Sequence, residues 1–243
     1  MKNAYSVLAN VYEYLICDCD YDKWSQYVLE KLAQYNDGVS GVDLACGSGF
    51  FTRNLAKAGY KVVGVDISQE MLLNAQQVAT SQGLNINFLK MDISKLKLFE
   101  KVDFATVIND GINYIPQEKL LKTFKTINSN LKKGGIFFFD FSSEYKIKNV
   151  LANNMFGEDH ENLSYMWFNK LSEKYIDMDL VFFIKNGETY VKKEESHRQY
   201  IHDNRLIAQY LVEAGFEILE NNEHLGNKLT NQSQRIEYIC KKV

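Results

Sequence analysis

Three aspartates and a pair of glycines stand where their types and spacing could do chemistry. Val42-Asp43-Leu44-Ala45-Cys46-Gly47-Ser48-Gly49 reads as a strand running into a glycine turn that opens a helix. Such a turn lets a ligand approach the backbone, and a helix N-terminus offers unpaired N–H groups to an anion. A dinucleotide fingerprint, G-x-G-x-x-G, would put its third glycine where Thr52 stands, and the acid Asp43 ahead of the turn also speaks against a nicotinamide site. Asp66 ends a second apolar run, Val62-Val63-Gly64-Val65, where a carboxylate can accept both hydroxyls of a ribose. Asp92, in Met91-Asp92-Ile93, follows a third run and can accept from an adenine amino group; its other reading is a helix cap. The neighbours Ile67 and Ile93 complete this set.

These residues need strands that end side by side. Residues 39–45, 61–66, 86–90, 102–109 and 136–141 read as short strands, separated by helical spacing over 51–58, after Ser68, and over 117–131, with a helix over 24–35 ahead of them. Strands alternating with helices imply parallel pairing with right-handed crossovers and helices on both faces. After Phe141 the rhythm changes: 163–171, 175–185 and 189–200 are partly alternating runs joined by short polar turns such as Lys185-Asn186-Gly187. A helix over 203–214 and strands over 216–220 and 235–241 then resume the first pattern. The expected fold is α/β, a doubly wound, mainly parallel seven-stranded sheet over 1–141 and 201–243, with an antiparallel β meander inserted as a lid over 142–200.

The D-x-A-C-G-S-G turn, the V-G-V-D-I-S strand end, K-M-D-I and L-K-K-G-G-I-F-F-F-D together resemble the class I S-adenosylmethionine-dependent methyltransferases. A-x-x-Y with D-Y-D-K-W near the start, N-D-G-I-N-Y-I, F-D-F-S-S-x-Y-K and H-R-Q extend the resemblance over nearly the whole chain, to a bacterial subgroup of small members. It implies S-adenosylmethionine as cofactor and S-adenosylhomocysteine as product, with the methionine carboxylate at the glycine turn. The cofactor residues expected on this basis are Tyr12, Asp43, Ala45, Cys46, Gly47, Gly49, Asp66, Ile67, Asp92, Ile93 and Asn109. Tyr12 belongs to an N-terminal segment that folds over the cofactor in this family; packing beside Val11 and Leu15 is its other reading. Ala45 replaces the family's usual first glycine, which alanine can do if its φ stays negative.

Because the sulfonium carries its own activation, the protein has chiefly to align an acceptor, exclude water and, for an amine or hydroxyl, take up a proton. The loop Asn109-Asp110-Gly111-Ile112-Asn113-Tyr114 and the strand end His197-Arg198-Gln199-Tyr200 offer the groups for this. Asp110 and His197 are the candidate bases; Tyr114, Phe141, Trp167 and Arg198 are the candidate acceptor contacts. Loop polarity and core packing are the alternatives for each. The loop lacks the Asn/Asp-Pro-Pro-Tyr/Phe signature of base and glutamine methylation.

The formal charge of −3 over 243 residues, with Lys and Arg dispersed, gives no footprint for a phosphate backbone, which favours a small-molecule acceptor over nucleic acid. Methylation of RNA or protein, and cofactor binding without turnover, are the competing functions. No apolar run reaches the length of a membrane span, and the first residues lack a signal peptide's apolar region, so a cytoplasmic location is expected. Cys17, Cys19, Cys46 and Cys240 form no C-x-x-C pair, and neither a metal site nor a disulfide framework is expected.

Overall fold

The computed structural model describes residues 20–243, so the expectation for Tyr12 lies outside the described residues. The chain enters through α1 (Tyr21–Tyr35), whose first turn is capped by Asp20 accepting from the Lys23 amide and whose Trp24, Val28 and Leu32 form a buried stripe. Then follow β1 (Ser40–Leu44), α2 (Phe50–Lys57), β2 (Lys61–Asp66), α3 (Gln69–Ser81), β3 (Asn87–Lys90), β4 (Val102–Val107), α4 (Gln117–Asn130) and β5 (Leu131–Ser142). Four strands, β6 (Met155–His160), β7 (Leu163–Leu171), β8 (Tyr175–Asn186) and β9 (Thr189–Tyr200), precede α5 (Asn204–Glu213), β10 (Phe216–Glu223) and β11 (Arg235–Lys242).

The main sheet has the order β10-β11-β5-β4-β1-β2-β3. Its β1, β2, β3, β4 and β5 pair in parallel, whereas β11 runs antiparallel to both β5 and β10. This is the expected doubly wound, mainly parallel seven-stranded sheet. Because helices cover both faces, the central strands are apolar on both sides. Phe137 and Phe139 pack with Phe124 of α4 and Leu211 of α5 on one face, and Phe104 and Phe138 pack with Trp24 and Leu55 on the other.

Phe141 belongs to that core. It is fully buried and stacked on Phe139 and Tyr238, so the expectation that it lines an acceptor pocket is corrected: the odd-numbered side chains of β5 face α4 and α5.

The inserted strands form a second, antiparallel sheet in the order β6-β7-β8-β9. The sequence predicts three of them; Met155–His160 escaped because an edge strand that is largely exposed has no buried face to impose an alternating pattern. The inner face of this sheet packs Leu163, Ile176, Met178 and Phe182 with Ile147 and with Met71 from α3. Trp167 joins this packing, 5.5 Å from Phe156. At the junction, Asn113 is fully buried; its Oδ1 accepts from the Ser142 amide at 2.8 Å, and its Nδ2 donates to the carbonyls of Ser142 at 3.1 Å and Tyr200 at 3.0 Å.

Candidate active site

Since β2 and β4 flank β1 on opposite sides, a crevice opens beyond its carboxyl end, the usual ligand position in such sheets. Asp43 stands behind this crevice. Its Oδ2 accepts from Thr52 Oγ at 2.5 Å and its Oδ1 from Thr106 Oγ at 2.8 Å, and burial pushes its carboxyl up to about 6 against the pull of those two bonds. Both oxygens being used and buried, Asp43 ties β1 to α2 and β4, which corrects the expectation of a direct cofactor contact. The same bond explains why Thr52 stands where a dinucleotide fold keeps glycine.

Ala45, Gly47 and Gly49 have φ of 53°, 53° and 78°. The negative φ expected of Ala45 is therefore wrong: the left-handed residue is what turns the chain so that the Cys46 amide reaches the Val65 carbonyl at 3.1 Å. Around Gly47 nothing lies within 4 Å of where a Cβ would point, so its surface is open to a ligand, and Gly49 leads directly into α2.

Asp66 is 8% exposed; its Oδ2 accepts from the Gly47 amide and its Oδ1 from the Ser68 amide, each at 2.8 Å. Burial raises its pKa, while these amides and that of Ile67 pull the other way. Each oxygen keeps a further lone pair for a ligand. Asp92 caps a 3₁₀ turn over Ile93–Lys95 by accepting from the Ser94 amide at 2.8 Å, so the cap reading is realised, yet it also lines the crevice beside Ile67 and Ile93. Burial opposes ionisation of Asp92, but Ser94, Lys95 and Lys119 outweigh it and hold the carboxyl below its ordinary range.

The loop after β4 is shaped by residues the sequence did not single out. Asn109 and Asp110 are consecutive left-handed residues, with φ of 68° and 65°. Asp140, fully buried at the end of β5, accepts both of their backbone N–H groups, and Arg235 of β11 binds Asp140 and Asp110 while its guanidinium lies 4.6 Å from the Trp24 ring. Asn109 Nδ2 donates to Tyr21 Oη at 2.9 Å. Burial pushes the Asp110 pKa up, but Arg235 and Lys146 more than offset it, so its carboxyl is held low and is a weak base. The signals for Asp140 and Arg235 were an acid closing an apolar strand and an arginine opening the last strand.

Two joined compartments result. The larger, about 550 Å³, runs from Asp66, Ile67, Asp92 and Ile93 to His197, Arg198 and Tyr200 of β9. The smaller, about 190 Å³, lies over Cys46, Gly47 and Ser48 between Tyr21, Asn109, Asp110 and Gln199. Ala45, Asp66, Gly111 and Tyr114 border both. His197 is 6% exposed, with Nε2 at 3.2 Å from Glu195 Oε2 and its ring edge-on to Tyr114. Arg198 is bound to Asp177 at 2.6 Å and lies over the Tyr175 ring, so its charge is committed at the rim. Trp167 is packed inside the second sheet, and its expected place in the acceptor pocket is corrected accordingly. Gln199 and Tyr21 stand in the H-R-Q and D-Y-D-K-W motifs but were not among the expected site residues. Among the described residues no group of three or more His, Cys, Asp or Glu side chains could hold a metal, and no helix is long and apolar enough to cross a membrane.

Residues 42–135 match the methyltransferase domain family model. A protein of Geobacillus sp. (strain WCH70) with a provisional methyltransferase name is 32% identical, covering 98% of this chain and 99% of its own. The crystal structure of an S-adenosylmethionine-dependent methyltransferase from Clostridium acetobutylicum superposes with a TM-score of 0.91 at 36% identity over 99% of both chains. A sugar N-methyltransferase from Streptoalloteichus sp. shares the fold with a TM-score of 0.78 at 15% identity, over 98% of this chain and 93% of that one. With full-length likeness at this level and the acidic strand ends and glycine turn in one crevice, the chain belongs to the class I S-adenosylmethionine-dependent methyltransferases, whose methyl donor is S-adenosylmethionine.

Proposed function

We propose that the chain methylates a small molecule held between the carboxyl edge of the main sheet and β9. The observation that carries this reading is the crevice itself: compartments of about 550 and 190 Å³, walled on one side by β9, have the size of a small-molecule site. A sugar methyltransferase built on the same fold, 15% identical, agrees with it.

The residues fit the cofactor. Gly47 is open to close approach, Asp66 keeps lone pairs toward the crevice, and Ile67 is 61% exposed beside it, an apolar side chain that a base can cover. In this reading Gly47, Gly49, Cys46 and Ala45 form the methionine cradle at the α2 N-terminus, Asp66 binds the ribose, and Asp92, Ile67 and Ile93 bind the adenine. Bound S-adenosylmethionine supplies an activated methyl group. Asn109, fixed by Asp140 and Tyr21, closes the cradle from the β4 side. Tyr114 and β9 wall the acceptor space, Arg198 frames its rim, and residues 142–200 act as the lid that excludes water. His197 takes the acceptor's proton; Asp110, held by Arg235 and Lys146, keeps the loop in shape.

The test is transfer of label from methyl-labelled S-adenosylmethionine to a cell extract separated into small molecules, RNA and protein. Label in the small-molecule fraction is expected. Label confined to RNA or protein, or no label from protein that binds the cofactor, would overturn the proposal.

A further inference from the structure

The second sheet packs on the rest of the chain through one face, where Ile176, Met178, Leu180 and Phe182 of β8 are buried with Met71 and Ile147. The outward positions of β8 should then be polar, as on any antiparallel sheet with one solvated face. Asp177 and Asp179 obey this, but Val181 and Phe183 do not. The register carries the exception across the sheet: Val181 lies opposite Met166 of β7, and Phe168, two residues on from Met166, lies opposite Met155 of β6. Met155, Phe168 and Met166 are 64%, 41% and 37% exposed, and Gly157, opposite Met166, adds no side chain to cover them. Lone exposed apolar residues are ordinary, whereas a contiguous patch on three neighbouring strands marks a contact surface.

We infer that this outward face pairs with the same face of a second copy of the chain. Charge is the first reason. A two-fold axis sets a face against itself, so an excess of one sign would repel the copy. On this face Arg198 binds Asp177 and Lys192 binds Glu194, while Asp179 and Asp159 accept from the hydroxyls of Ser196 and Ser164. Lys170 and Lys185, at opposite ends of the face, bring the bases to four against those four acids. A copy therefore meets a neutral rim around an apolar centre. Area is the second reason. β7, of middle length among the four strands, has nine residues, and four such strands at about 4.8 Å spacing and about 3.3 Å per residue present about 600 Å². Two copies then bury about 1,200 Å², the lower limit of a standard-size interface. Sheets stacked about 10 Å apart, with strands about 30° from parallel, let the two apolar centres interdigitate as the layers of a sandwich do.

Sedimentation velocity of the full chain from about 1 to about 100 μM tests this, because an interface of this size makes the measured mass depend on concentration. The wild type is expected to reach twice the mass of one chain within that range. Phe168→Glu puts a charge in the apolar centre and is expected to raise the dissociation constant at least about a hundredfold, and Met166→Lys to do the same. Val212→Glu, at an exposed position on α5, is expected to leave it unchanged. A wild type that stays monomeric at the highest concentration, a mass above two copies, or a dimer undiminished in both Phe168→Glu and Met166→Lys would overturn the inference. Circular dichroism checks that the variants fold. If both unfold, amide exchange of the wild type decides: protection over 155–168 is expected to rise with concentration, and protection that does not rise overturns the pairing.

Discussion

Asp140 accepts the backbone N–H of Asn109 at 2.7 Å, and its second oxygen accepts that of Asp110 at 3.1 Å. Asn and Asp tolerate the left-handed region better than other non-glycine residues, but here two occur in succession, and Asp140 is the group that satisfies both of their amides while Arg235, Lys146 and Tyr21 hold their side chains. Arg235 balances its charge. Asp140→Ala would leave a buried guanidinium short of one partner and two amides without acceptors. The expected loss is about 3–5 kcal/mol by urea denaturation. A loss below about 1 kcal/mol would show that the loop holds its shape without Asp140.

The parallel core was legible because buried strands between helices are nearly continuous apolar runs, as in Val62–Val65 and Phe137–Phe139. Asp66 was legible because its place at a strand end is a local property of the chain. Asp140 and Arg235 were not, since what they do depends on a meeting of residues 95 positions apart that no periodicity records. Trp167 and Phe141 misled for a related reason: an alternating aromatic pattern reveals two faces without saying which faces a cavity. Ala45 misled because the turn's tertiary bond to β2 outweighs the backbone preference of alanine.

Burial gives Asp43 a folded-state pKa of about 6, above the ordinary carboxylate value. A raised pKa means that the folded protein holds a proton that the unfolded chain has released, so the contribution is full at pH below about 4 and is lost as pH rises through about 6. At about 1.4 kcal/mol per unit this amounts to about 2–3 kcal/mol. Asp43→Asn removes the ionisation. Its stability relative to wild type is expected to improve by that amount between pH 4 and pH 6.5, whatever constant offset the amide introduces. Parallel denaturation curves at four pH values check this; a difference independent of pH would mean that Asp43 titrates normally.

Loss of the Asp66 carboxylate should act on ligand and scaffold separately. Each charge-assisted bond to a ribose hydroxyl contributes about 1.5–3 kcal/mol, so Asp66→Ala is expected to weaken S-adenosylhomocysteine binding at least tenfold. The variant also frees the Gly47 and Ser68 amides, and Asp66→Asn, which retains an acceptor oxygen, separates the two effects. Calorimetric titration of both variants is the measurement. Affinity unchanged in both would remove Asp66 from the cofactor site.

Asn113 joins the loop after β4 to both ends of the inserted segment through one residue, since Ser142 is the end of β5 and Tyr200 the end of β9. Three hydrogen bonds, two of them buried and one partly buried, at about 1 kcal/mol each, with backbone groups left unsatisfied when the amide is removed, put Asn113→Ala at about 2–4 kcal/mol of lost stability. The more telling consequence is where the loss appears. The core strands β1, β2 and β4 take no bond from Asn113, whereas the end of β9 that carries His197 and Gln199 is anchored by it at Tyr200. Amide hydrogen exchange followed by mass spectrometry is therefore expected to speed up in peptides covering 196–202 and 111–115 while 40–66 changes little. Uniform acceleration over the whole chain would mean that Asn113 supports global stability alone, and that the second sheet is held over the crevice by its packing on Met71 and Ile147.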